Sequence, residues 1–444
     1  MKDLTKGSII KSILWFSIPV LLGNLFNLAY NLADTRIIGQ LLGTEALAAV
    51  GSVSTLSDVL VGFIVGLSNG FAVYTARLFG MGDRSKVRKS FASSLLLGVG
   101  VAIIISCLAF LFLPLLLTGL HVLPEHRGAS TAYIQVIILG LCFSVIYNVL
   151  AASLRAIGDA FTPLIFLVVS ACLNVGLDIL FVGPLALGVR GAAIATVTSQ
   201  ILAAAMCMAY TWKKYPFLHF EKSDFRLSRE YAHPLMSGGM SMGMMSCLVA
   251  FGTLALQSAI NALGSNIIVA HTGTRKLTGM YMLPFQVLGT TMATFSGQNF
   301  GARKIDRIRK GLWSTLGISW CWVVVVQIMS YTISPYLISS IIATKAPEIL
   351  EPAVLYQKFD TLFYVLVPTI SILRNSLQGM GDHVTPVISS SFELIGKVAI
   401  AFVLVKALGY WGVILAEPIV WSIMVIPLII STVKLLSRKN DVNE

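Results

Sequence analysis

The sequence predicts an all-α polytopic membrane protein: twelve transmembrane helices in two pseudo-symmetric six-helix bundles. Three observations carry that prediction. Of 444 residues, 56% are hydrophobic and only 12% are charged, whereas a soluble globular domain is about a quarter charged. Apolar runs long enough to cross a ~30 Å hydrocarbon core, about 20 helical residues each, recur along the chain. The runs also repeat, with motifs of the first half returning in the second at a nearly constant offset.

The apolar runs lie near 13–38, 46–79, 90–119, 130–154, 161–183, 190–212, 235–261, 266–299, 311–343, 352–376, 384–406 and 410–435. The first contains Pro19 and Asp34. A carboxylate in a spanning helix normally faces a bundle interior or a wet cavity. Arg36 and Gly39, close behind it, fit an interfacial position equally well. Pro19 falls mid-helix, where it removes a backbone hydrogen bond and permits a bend. Hinge and static kink are both consistent with that placement.

Lys/Arg residues crowd alternate loops, which sets the expected topology. They gather at the N-terminus (Lys2, Lys6, Lys11), after the second run (Arg84, Lys86, Arg88, Lys89), after the sixth and after the eighth (Arg303, Lys304, Arg307, Arg309, Lys310). The tail adds Lys434, Arg438 and Lys439. By the positive-inside rule both termini are expected to be cytoplasmic, with the protein multi-pass in a plasma (inner) membrane. The net charge of +12 is thereby placed in loops, and no nucleic-acid partner is expected. No cleavable signal peptide is expected either, because the first run is too long for one. Cys107, Cys142, Cys172, Cys207, Cys247 and Cys321 lie singly in apolar segments, which favours packing over metal or disulfide roles.

Residues 213–233 form the one sizeable polar stretch and read as a cytoplasmic linker between an N-terminal lobe, 1–212, and a C-terminal lobe, 234–444. Phe79-Gly80 with Arg88-Lys89 returns as Phe300-Gly301 with Arg309-Lys310, a shift of 221. Gly158-Asp159-x-x-Thr162-Pro163 returns as Gly381-Asp382-x-x-Thr385-Pro386, a shift of 223. A duplicated six-span unit relates its copies by an axis along the membrane normal, and transporters hold substrate between such halves. In both Gly-Asp-x-x-Thr-Pro turns, Asp suits a helix cap and Pro a first turn.

IPVLLGNLFN and LADTRIIGQLLG in the first span, FGMGDRSKVRKS after the second, LRAIGDAFTP before the fifth and the second-half echoes FGARKIDRIRKG and LQGMGDHVTP resemble the multidrug and toxic compound extrusion (MATE) family. The resemblance covers nearly the whole chain and implies the MATE or MOP flippase-type fold. It also implies export of organic compounds, drugs or toxic metabolites, against entry of Na⁺ or H⁺. The alternative within that architecture is a flippase for lipid-linked saccharides. Members with a coupling acid in span seven have no counterpart here, since 233–262 contains no Asp or Glu. This departure favours coupling through the first lobe. The resemblance is to the DinF-like rather than the NorM-like branch.

Asn174 and Asp178 in span five share a helix face at i, i+4. At ~1.5 Å per residue, Asp178 lies about 22 Å above Pro163 and Thr196 roughly 9 Å below the outer end of span six. Asp34 and Tyr133 fall in the same layer. Two adjacent carboxylates in low dielectric cannot both ionise cheaply, so they hold a proton or share a cation. A Na⁺ or H⁺ site at Asp34, Asn174, Asp178 and Thr196 with Tyr133 is therefore one reading, and the resemblance implies the same set. Plain inter-helical bonding of Asn174 and Asp178 is the other.

The second half departs from this pattern. Asn174 shifts onto Lys397, Thr196 onto Glu417, Asp178 onto Ala401 and Asp34 onto Ala255. A fixed ammonium is thus expected where the first lobe takes its cation, paired with Glu417 or Glu393. The pair is either a structural lock or a substrate contact. His271, Arg275 and Lys276 in span eight form either a cavity-facing basic patch or partners for acids such as Asp360 and Glu393. No nucleotide-binding loop, nucleophile triad or metal-ligand spacing occurs, so an enzyme is not expected. No cofactor is expected beyond the transported ion. The expected partners are small organic substrates and membrane lipids, with the chain acting as a monomer.

Overall fold

The computed structural model describes residues 3–120 and 122–437, and all regular structure among them is helical. Lys2, Arg438 and Lys439, counted above among the basic termini, lie outside the described residues. In chain order the α-helices are α1 (Ile9–Gly80), α2 (Arg84–Leu111), α3 (Leu113–Gly119), α4 (Pro124–Ala156), α5 (Phe161–Val182), α6 (Gly188–Lys214), α7 (Arg229–Asn261) and α8 (Ser265–Gly301). They continue with α9 (Ile305–Thr332), α10 (Ser334–Ile342), α11 (Pro347–Leu362), α12 (Leu366–Met380), α13 (Val384–Phe402), α14 (Leu404–Leu408) and α15 (Tyr410–Ser437).

The first two predicted spans are joined within α1. The helix does not end at Gly39 but runs on to Gly43, whose φ of 84° and ψ of −178° make the one non-helical residue of the connection. Only glycine adopts that conformation without strain. Spans three, nine, ten and eleven are each broken into two helices, at Phe112, Ile333, Phe363–Val365 and Val403. Two predicted spans fall outside the set of helices long and apolar enough to cross a membrane. Span eight (α8) is too polar, and span ten is divided between the short helices α11 and α12.

The helices group into two compact units, Ile18–Gly243 and Leu4–Ser17 with the chain from Met244 onward. The packing therefore assigns residues 4–17 to the second unit and 229–243, the start of α7, to the first. In the first unit α4 packs against α2 and α6, and α5 against α6. Its core joins Phe71, Phe91, Leu95, Val145, Val149 and Leu235. The stretch after α6 is ordered against the same core through Tyr215 and Leu218. Arg88 clamps it by ion pairs of 2.7 Å to Glu221 and 2.8 Å to Asp224. The predicted linker, 213–233, thus holds two short 3₁₀ turns, while its two ends belong to α6 and α7.

In the second unit α12 packs against α8 and α15, and α13 against α15. The segment ahead of α1 is held by side chains near the end of α8 and the start of α9. Leu4 N–H donates to Gln298 Oε1 at 3.0 Å, and Arg307 donates to the carbonyls of Leu4, Lys6 and Gly7. Outward faces are apolar, as in Leu111 (71% exposed), Ile104 and Ile430, which suits a lipid surround rather than water.

The repeated Asp turns cap their helices. Asp159 Oδ1 accepts from Thr162 N–H at 3.1 Å, and Asp382 Oδ1 from Thr385 N–H at 3.0 Å. Burial works against the charge of Asp159. Hydrogen bonds from Tyr215 (2.5 Å) and Thr162, with the nearby Lys214 ammonium, outweigh it and hold the carboxyl below the usual range. Asp382 is half-buried, and donation from Ser431, Thr385 and Val384 holds it low as well.

Candidate cation-binding site

Four helices of the first unit bring the predicted oxygen ligands together. Tyr30 and Asp34 lie one turn apart on α1, and Asn174 and Asp178 one turn apart on α5. Thr196 comes from α6 and Tyr133 from α4. A close approach of α4 and α6 sets the layer: a Cβ on Gly140 would stand 2.3 Å from Val197 Cγ2, beside Thr196. Thr196 is the hub. Its hydroxyl donates to Ala192 O at 3.1 Å, leaving its lone pairs for Asn174 Nδ2 at 3.4 Å and the Tyr30 hydroxyl at 3.5 Å.

These bonds use the donors of the cluster and leave its acceptors empty. Asn174 and Asp178 are buried, at 1% and 0% exposure. Asn174 Oδ1, Asp34 Oδ1 and both Asp178 oxygens have no hydrogen-bonded partner. The Asp34 and Asp178 carboxyls lie close enough to act on one another electrostatically, and both act on Tyr30 and Tyr133. No Lys or Arg lies within ion-pair range of either acid among the described residues. Buried acceptors without donors are costly. A proton, or a small cation that takes oxygen ligands, satisfies them. Tyr30 is not among the residues the sequence pattern singled out. Its signal was the four-residue spacing to Asp34.

The second-unit residues form an ionic ladder instead. Arg275 Nη1 lies 3.5 Å from Glu417 Oε1, which lies 3.3 Å from Lys397 Nζ. Lys397 donates to Glu393 Oε1 at 3.0 Å, and Glu393 Oε2 is 3.8 Å from Arg374 Nη2. Lys397 thus pairs with both Glu393 and Glu417, where the sequence left a choice between them. Cations and anions alternate along the ladder, with a cation at each end. Asp360, fully buried with both oxygens unpartnered, supplies a third acid that interacts with Arg275, Glu417 and Lys397. His271 packs edge-on against Tyr356 at 4.9 Å between ring centroids. Lys276 is exposed and lies outside the ladder. Arg374 was missed, having no charged neighbour at helical spacing on its own helix.

The MatE family model matches residues 19–180 and 242–403, one stretch in each half. The chain belongs to the MatE family. The probable multidrug resistance protein YpnP of Bacillus subtilis is 27% identical over 382 residues, covering 85% of this chain and 84% of that protein. YoeA of the same organism, also named a probable multidrug resistance protein, is 27% identical over 428 residues, covering 92% and 90%. A solved multidrug resistance MATE transporter of the MOP superfamily, in its outward-facing conformation, superposes with a TM-score of 0.90. It is 24% identical and covers 98% of each chain. This MatE chain therefore has the all-helical MATE fold, is a multi-pass membrane protein, and belongs to a family of transporters, not enzymes.

Proposed function

We propose that this MATE protein, a secondary antiporter for multidrug efflux, takes its coupling ion at Asp34, Asn174, Asp178 and Thr196, with Tyr133 closing the layer. The observation that supports this reading is the set of buried oxygens left without donors in the first unit. Ion entry neutralises two carboxylates that repel one another, and ion release restores the repulsion. The occupied and empty clusters thus differ in free energy, which is what coupling to organic efflux requires. In the second unit Lys397 and Arg275 already supply the positive charge, so the coupling ion enters through the first unit alone. That arrangement is the DinF-like one. Both termini lie in the cytoplasm in this reading, following the basic loops, and the monomer is sufficient, since every proposed ligand comes from one unit.

The test needs no transported compound. Wild type and Asp178→Asn are purified in neutral detergent, and melting temperature is followed against Na⁺ at constant ionic strength and against pH. A ligand of the folded state raises apparent stability with occupancy. The expected result is a Na⁺-specific rise, or a pH dependence without Na⁺ effect, in either case absent from the variant. Indifference of the wild type to both ions would sink the proposal.

A further inference from the structure

At the register of the first unit's acid pair, the second unit has a recess. Asp34 shifts onto Ala255 and Asp178 onto Ala401. Both alanines line a cavity of about 550 Å³ between α7 and α13–α14, with Ala259, Phe402 and Val405 among the other walls. Small side chains thus stand in the second unit where the first has its two carboxylates. A recess of this size lies within the range of small-molecule pockets, about 300–1,000 Å³.

The charge around the recess is one-sided. Lys406 is its only charged lining residue. Among the described residues no carboxylate lies within ion-pair range of Lys406, whose Nζ sits 5.9 Å from the Phe402 ring centroid. Lys397, one turn below Ala401 on α13, is neutralised by Glu393 and Glu417. An organic cation therefore meets no counter-charge here, whereas an acid meets Lys406. An apolar body fits the alanine and phenylalanine walls.

The geometry points to a second ligand site, for an organic anion with an apolar body: the body occupies the recess of α7 and α13–α14, and the acid group pairs with Lys406. This inference does not rest on the assignment of the coupling-ion site. Free organic acids and acidic phospholipids share the required chemistry.

The probe is decanoate carrying a diazirine, photolysed with the protein in phosphatidylcholine vesicles and mapped by mass spectrometry. Saturable adducts are expected within 255–263 and 401–409. Lys406→Gln, an exposed position, should raise the half-saturating concentration roughly fivefold, the value of one exposed ion pair. Ala259→Trp should abolish the adducts while leaving the melting temperature of the protein unchanged. If that variant fails to fold, Lys406→Gln still decides. Displacement by unlabelled decanoate alone supports a free organic acid as ligand. Displacement by phosphatidylglycerol as well supports a lipid headgroup. Adducts elsewhere, equal labelling by the matching diazirine alcohol, or no effect of Lys406→Gln would overturn the proposal.

Discussion

Asn174 on α5 and Lys397 on α13 hold the same register in the two copies of the repeat, yet their surroundings follow opposite electrostatic rules. Around Asn174 the first unit collects carboxylates and hydroxyls, with no Lys or Arg in ion-pair range of the acids among the described residues. Around Lys397 the second unit interleaves three cations with three acids. Duplication preserved the helices, and side-chain changes decided whether positive charge is built in beside the acids or not. The difference teaches that a repeat can keep its architecture while its two copies build opposite electrostatics at one register.

The comparison is sharpest under mutation, and the largest effect belongs to the ladder. Lys397→Ala leaves Glu393 and Glu417 buried without their shared cation and should destabilise the fold by about 3–5 kcal/mol. Chemical denaturation in detergent measures it. A loss under ~1 kcal/mol would mean that the ladder is hydrated and weakly coupled.

Asp178→Asn should behave in the opposite way. In ion-free buffer it removes a buried acid whose oxygens have no donor, so stability should hold or rise. What disappears is the ion-dependent increment, about 2.7 kcal/mol at a hundred times the dissociation constant. Ion-driven efflux should vanish with it. A variant that melts early in ion-free buffer would show that Asp178 is a structural acid like Glu417, and the contrast would collapse.

The repeated turns give a smaller, pH-dependent contrast. Asp159 and Asp382 are held below the ordinary carboxylate range, so each contributes stability that is complete above the unfolded-state value of about 3.9. That contribution fades as pH falls through the lower folded-state value. Asp159→Asn should cost about 1–3 kcal/mol at neutral pH and flatten the acid limb of the melting profile. Asp382→Asn should flatten it as well. Profiles that stay parallel to wild type in acid would contradict the hydrogen-bond account.

Thr196→Val is the mildest probe. It removes the hydroxyl that gathers Tyr30 and Asn174, at about 0.5–1.5 kcal/mol, and should weaken ion-dependent stabilisation more than ion-free stability. Equal loss in both would place Thr196 outside the ion's coordination.

Much of this was legible beforehand because it depends on local pattern. Long apolar runs fall on helices because a backbone in lipid must satisfy its own hydrogen bonds. The i, i+4 spacing of Asn174 and Asp178 places them on one face whatever surrounds α5. The constant shift of the repeat located Lys397 and Glu417 without coordinates.

Other features belong to packing. Nothing local marks Arg374 as the far end of a ladder, because its partner Glu393 comes from another helix. Nor does spacing separate Arg275 from exposed Lys276, since rotation of α8 within its unit decides which neighbour turns inward. The sequence by itself determined a membrane-spanning duplicated helical chain, with acids in one copy and a lysine in the other. Only the tertiary structure decided which charges meet, which oxygens stay unpartnered, and that Ala255 and Ala401 line a recess. The physical reason is range. Helix formation and membrane partition act over a few turns of one segment, while ion pairing and cavity formation depend on ångström-scale distances between segments far apart in the chain.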